Sequence, residues 1–127
     1  MEMHRDNRGD SLSEAIIECI IEVHRTLGPG FLESIYQNAL EIEFQRRHLK
    51  IEKEKELIIR YHDEIVGRHR LDLVVEDSII IELKTVEDLS KAHYAQVRSY
   101  LAASGLKLGI LVNFSAFKAD FRRVNLQ

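Results

Sequence analysis

One stretch, RLDLVVEDSIIIELK from Arg70 to Lys84, constrains this chain more than any other. It reads as two short apolar strands joined by a turn, with Asp72, Glu82 and Lys84 set into them. If residues whose numbers sum to 154 lie opposite one another, Leu71 meets Leu83, Leu73 meets Ile81 and Val75 meets Ile79, which makes one face wholly apolar. The same register sets Asp72 opposite Glu82, Val74 opposite Ile80 and Arg70 opposite Lys84. A slip by one residue would turn Glu82 and Lys84 in among the leucines, because side chains alternate faces with period two. Apolar matching alone therefore brings two carboxylates side by side, where they repel. Positive charge is expected between them, and a divalent cation held by carboxylate oxygens supplies it.

The rest of the chain falls into elements that can hold such a hairpin. Residues 1–10 are polar and read as a flexible N-terminal tail, with a single domain over residues 11–127. Ser11 and Glu14 have capping-box spacing, and Ile16, Ile17, Ile20, Val23 and Leu27 follow at helical intervals. Gly28-Pro29-Gly30 ends that helix, and a second runs from Phe31 to about His48. Lys50 to Tyr61 is strand-like, His62-Asp63-Glu64 is a turn, and Ile65–Val75 and Ile79–Lys84 are the next two strands. Asp88 or Ser90 caps a third helix that closes at Gly105, Leu108 to Phe114 is a buried strand, and the remainder is a short tail with weak strand character. The order helix, helix, three strands, helix, strand predicts an α/β layer architecture with a mixed sheet flanked by helices.

Composition bounds the function. A single cysteine, Cys19, excludes a disulfide framework and a cysteine-rich zinc site, and its apolar helical setting reads as core. No apolar run approaches membrane-spanning length and no signal peptide is visible, so a cytoplasmic protein with no membrane role is expected. The net charge of −3 gives no general attraction for nucleic acid, so any such role rests on local basic residues.

Asp72, Glu82 and Lys84 have the spacing D-x9-E-x-K on consecutive strands. Two juxtaposed carboxylates suit a hard cation such as Mg²⁺ or Mn²⁺, and an ammonium beside them can stabilise a phosphoryl oxygen or favour hydroxide in an attacking water. The same trio also fits a structural salt bridge, and spacing alone leaves both readings open. Arg68 and Arg70 precede Asp72 at period two and suit a phosphate backbone or, equally, a solvated edge or a pair with Glu64. His93, Gln96 and Tyr100 share a face of the third helix, where Gln96 stands polar among Ala95, Val97 and Leu101. In the second helix Glu33, Tyr36 and Gln37 lie one turn apart, and helix-dipole capping is the simpler role for Glu33.

Gly30-Phe31-Leu32-Glu33-Ser34-Ile35-Tyr36 fits the G-x-x-E-x-x-Y signature, and the matching continues through DLVVEDSIIIELKTVEDL, AQVRSYL and LGILVNF. Over roughly residues 12–115 the chain resembles the GxxExxY family, itself similar to the PD-(D/E)xK nuclease superfamily with its α-β-β-β-α-β core. The resemblance implies that Asp72 and Glu82 are metal ligands, Lys84 the catalytic lysine and Glu33 a helix-borne acid. It matches Gln96 and Tyr100 to the Q-x-x-x-Y element of the RecB-like branch, and Leu71 stands where the superfamily name has proline. The expected function is a Mg²⁺- or Mn²⁺-dependent phosphodiesterase acting on DNA, with Asp72, Glu82, Lys84, Glu33 and Gln96 in the site. Arg68, Arg70, Tyr100 and Tyr36 are the expected nucleic-acid contacts. The alternative is a non-catalytic module that binds nucleic acid or protein. Small size and acidic charge point to a helper, either a homodimer or a protein partner.

Overall fold

The computed structural model describes residues 7–126, with side chains from Ser11 onward. Helix α1 spans Asn7–Leu27 and buries Ile16, Cys19, Ile20 and Val23, one stripe at helical spacing. It starts ahead of the expected cap at Ser11, so the expected tail is already helical from Asn7, and residues 1–6 lie outside the described residues. Gly28 stops it with φ 71°, a left-handed conformation that suits glycine, and its N–H donates to the carbonyl of His24 at 2.7 Å. Helix α2 follows at Glu33–Arg46.

The sheet is built from β1 (Ile51–Tyr61), β2 (Glu64–Val75), β3 (Ile79–Lys84), β4 (Leu108–Asn113) and β5 (Asp120–Asn125), in the spatial order β1-β2-β3-β4-β5. Strands β3 and β4 are parallel and the other neighbours antiparallel, which makes the sheet mixed. The parallel pair needs a crossover, and helix α3 (Lys91–Ser104) supplies it. Ser90 caps α3 by accepting from the His93 N–H while the His93 ring accepts from the Ser90 N–H. Gly105 closes it at φ 80°. Strand β5 occupies what the sequence presents as a tail. Its run DFRRVN fully buries only Val124, so its apolar alternation is faint.

Helices cover both faces of the sheet. Beneath α1 and α2, Ile16, Ile20, Leu40 and Phe44 pack with Leu73, Val75, Ile81, Leu83 and Val112. Beneath α3, Val97, Tyr100 and Leu101 pack with Val74, Ile80 and Leu111. Each fully buried Leu or Ile contributes roughly 1.5–3 kcal/mol of hydrophobic stabilisation, so both faces are anchored independently of the charged residues between them. Contact on the second face is close. A Cβ on Gly109 would sit 2.6 Å from Val97 Cγ1, so the bare glycine of β4 sets how near α3 can approach.

The β2–β3 hairpin keeps the expected register at its closed end, with Val75 opposite Ile79, Val74 opposite Ile80 and Leu73 opposite Ile81. Glu76 and Asp77 turn the chain with φ 53° and 54°, and the Ser78 N–H donates to the Val75 carbonyl at 3.0 Å. The backbone ladder ends at Leu73–Ile81. One expectation fails here: Leu71 packs beneath α3, on the face opposite Leu73. Asp72 interrupts the alternation. Its partner position on β1, Glu54, has φ 53°, and the two are missing from a ladder that resumes in the same register at Lys55–Leu71. The interruption reverses the facing of both strands.

Candidate active site

The open end of the β2–β3 hairpin is where Asp72 and Glu82 meet, each taking a place that a backbone carbonyl would otherwise fill. Asp72 Oδ2 accepts from the Leu83 N–H at 2.8 Å, and Glu82 Oε2 accepts from the Asp72 N–H at 3.1 Å. The reciprocal bonds clamp the two carboxylates against each other in a nearly dry setting, since Glu82 is only 4 % exposed. Burial, reinforced by the Asp72 charge, pushes the Glu82 carboxyl up to about 8. Burial also raises Asp72, despite its bond from Leu83 and the nearby Lys84 and His69.

Two helices and the end of β3 complete the cluster. Glu33, in the first turn of α2, makes no cap; Leu32 holds that position, without a side-chain bond. Burial raises the Glu33 carboxyl, with a further push from Asp72 and a partial offset from Lys84, which places it in the same electrostatic neighbourhood. Lys84 Nζ donates to Gln96 Oε1 of α3 at 2.8 Å. Residues 33, 72, 82, 84 and 96 therefore converge from α2, β2, β3 and α3.

The donors fit a hard cation. They are oxygen ligands, they crowd negative charge into a confined space, and Glu82 has a single hydrogen bond among the described residues to satisfy it. No group of three or more His, Cys, Asp or Glu side chains is drawn into a ready metal cage among the described residues, so water or a substrate phosphate would have to complete the shell.

The residues expected to grip nucleic acid fare differently. Tyr36 is fully buried, stacked on Phe114 with ring centroids 4.4 Å apart. Its hydroxyl donates to the Gly28 carbonyl at 2.6 Å and accepts from the Phe31 N–H at 3.1 Å, so it pins the α1–α2 connection from within the core and offers no surface to a ligand. Arg68 and Arg70 pair with Glu56 and Glu54 of β1 at 3.4 and 3.5 Å, so their partners are these two acids rather than Glu64. Tyr100 is 7 % exposed, and burial with the Glu82 and Asp72 charges pushes its phenol up to about 12.

One residue at the cluster escapes a reading of spacing. His69 of β2 stacks on Tyr100 with centroids 4.2 Å apart. It reaches the α3 side only because alternation reverses at Asp72, which no local pattern reveals. Gln37, one turn after Glu33, is 9 % exposed and its amide has no hydrogen-bond partner among the described residues. Buried amides of this kind are ordinarily satisfied by water or ligand. Its polarity within the stripe of Tyr36, Leu40 and Phe44 was the available signal.

Comparison with known proteins agrees with this fold. The family model of the PD-(D/E)XK nuclease superfamily matches residues 10–124. The chain belongs to that superfamily. Among solved structures it is similar to the crystal structure of SSO0001, with a TM-score of 0.58 and 24 % identity over 72 % of this chain. The match spans 48 % of that protein's length. It is also similar to an alkaline exonuclease from Laribacter hongkongensis, with a TM-score of 0.55 and 13 % identity, covering 99 % of this chain and 73 % of the exonuclease. At these identities the two structures establish the shared fold. No curated protein matches the chain significantly. Among the described residues no helix is long and apolar enough to cross a membrane.

Proposed function

We propose that the chain is a Mg²⁺- or Mn²⁺-dependent nuclease that hydrolyses phosphodiester bonds in DNA. The observation that carries the reading is the mutual clamp of half-buried Asp72 and buried Glu82, held together with Lys84 at their side. Asp72 and Glu82 are the residues that would hold the cation, which supplies Lewis-acid stabilisation of charge developing on the phosphate. Lys84, steadied by Gln96, presents its ammonium toward the same space and stabilises a phosphoryl oxygen or the attacking water's developing hydroxide. Glu33 closes the cluster from α2 and adds an oxygen donor or a proton acceptor beside Asp72. The Laribacter alkaline exonuclease, which shares this fold, favours the same chemistry.

Among the described residues six arginines pair with an acid, as with Arg47 and Glu18, Arg68 and Glu56, and Arg122 and Asp120, while exposed Arg60, Arg98 and Arg123 do not. With a net charge of −3, the chain has little counterion-release affinity for duplex DNA. A second copy or a protein partner that supplies substrate affinity fits this balance, as does action in the cytoplasm. The test is a cleavage assay on single-stranded, duplex and branched DNA with Mg²⁺, Mn²⁺ or chelator, run beside Lys84→Ala. Metal-dependent cleavage lost in the variant is the expected result. Equal cleavage by both proteins, or none by either on any substrate, would leave the non-catalytic binding module as the better account.

A further inference from the structure

We propose that His69 is a further substrate-binding residue of this site, with its Nε2–H donating to a phosphate oxygen of the bound strand. The proposal rests on the nuclease reading for the location of the strand, and adds a contact that no motif assigns.

Geometry supplies the argument. His69 lies three residues before Asp72 on β2, and the reversal of facing at Asp72 brings its ring over α3 rather than out toward Arg68 and Arg70. There the ring lies on Tyr100, with centroids 4.2 Å apart and planes 23° from parallel. The Tyr100 hydroxyl is 3.3 Å from His69 Nδ1. That hydroxyl stays protonated through the physiological range, because burial and the Glu82 and Asp72 charges hold its proton. Where the hydroxyl donates to Nδ1, the proton of a neutral imidazole sits on Nε2, and in the imidazolium Nε2 carries a proton whichever way that bond runs. Nε2 has no partner among the described residues. The ring itself is half-buried, so this donor is fixed in direction yet reachable.

The position suits a phosphate. His69 is close enough to Asp72 to act on its charge, so the donor borders the proposed cation site without belonging to the cluster of carboxylates. A strand whose scissile phosphate lies at Asp72 and Glu82 needs donors for its neighbouring oxygens, and the two arginines of the same strand, Arg68 and Arg70, are paired with Glu56 and Glu54. Tyr100 then acts as a positioning residue. It is nearly inaccessible and works by holding the imidazole.

The experiment measures anisotropy of a fluorescein-labelled single-stranded oligodeoxynucleotide in Ca²⁺, together with steady-state cleavage in Mg²⁺ and thermal melting of each variant. His69→Phe keeps the stack on Tyr100 and removes the donor; it should weaken Kd and raise KM by about tenfold, with the melting temperature held. His69→Gln, whose amide restores a donor near Nε2, should return Kd to within about threefold of the parent. Tyr100→Phe should weaken binding less than His69→Phe. Parent-like Kd and KM in His69→Phe would overturn the proposal while leaving the nuclease reading intact. Losses that merely follow the folded fraction, with no rescue by glutamine, would overturn it too by reducing the pair to packing. If the parent binds but fails to cleave and His69→Phe still weakens binding, the nuclease reading falls and this contact stands. A parent that binds no oligonucleotide sinks both.

Discussion

The two ends of the β2–β3 hairpin carry the same kind of side chain and treat it in opposite ways. At the closed end Glu76 and Asp77 are exposed, Asp77 accepts from Lys50 Nζ at 2.8 Å, and that bond holds its carboxyl below the usual range. Glu76 accepts from the Lys50 N–H, so these acids tie the turn to the start of β1. At the open end Asp72 and Glu82 are withdrawn from water, set against each other and pushed above the usual range. A folded chain gains nothing in stability from the second arrangement. Burying paired acids without a full set of partners costs free energy, and such costs concentrate where a ligand is bound. The contrast separates acids that hold the fold from acids that the fold holds.

The comparison breaks most readily through cleavage. Lys84→Ala, Asp72→Asn and Glu82→Gln should each lower the metal-dependent cleavage rate by about a hundredfold or more, while Asp77→Asn leaves it unchanged. Equal losses at both ends in a steady-state assay would erase the distinction.

A second contrast is the response to pH in chelator. The folded-state pKa of Glu82, about 8, lies above its ordinary 4.5, so the metal-free fold binds that proton more tightly than the unfolded chain does. Stability is then greatest below the ordinary value and falls as pH rises across that interval, and the raised Asp72 and Glu33 act in the same direction. Asp77 acts oppositely: its lowered pKa adds stability above its ordinary 3.8, lost as pH falls through the folded value. Melting curves of Glu82→Gln should lose most of the decline toward alkaline pH. A decline that persists unchanged in that variant assigns it elsewhere.

The smallest effect belongs to the turn. Lys50→Ala removes an exposed ion pair, with side chains 62 % and 55 % accessible, and should leave the denaturant midpoint almost unmoved. A larger shift would mean that the closed end is more than a solvated tie.

Much of this was legible in the chain. The apolar residues of Leu73–Val75 and Ile79–Ile81 dictated their register, and Ser90 and Gly105 marked both ends of α3, because strand alternation and helix caps are local signals. The position of Leu71 was not legible. The reversal at Asp72 depends on Glu54, eighteen residues away in sequence (72 − 54 = 18) and set opposite by the β1 pairing, and His69 follows from the same event. Tyr36 misled for a related reason. Its hydroxyl is satisfied by the backbone of Gly28 and Phe31, so an aromatic that reads as a ligand contact serves the core. Strand β5 shows only weak strand character in the chain because an edge strand covered on little of its surface needs few apolar residues.

The most direct test of the central claim, that the open end is built for a divalent cation, is thermal melting in chelator and in millimolar Mg²⁺ or Mn²⁺. A cation that binds only the folded state stabilises it by about 2.7 kcal/mol at a hundred times its Kd, a rise of several degrees for a domain of this size. The parent, Asp77→Ala and Lys84→Ala should all show the rise, while Asp72→Ala and Glu82→Ala should fold and lose it. No rise in the parent, or the same rise in Asp72→Ala and Glu82→Ala, would contradict the account.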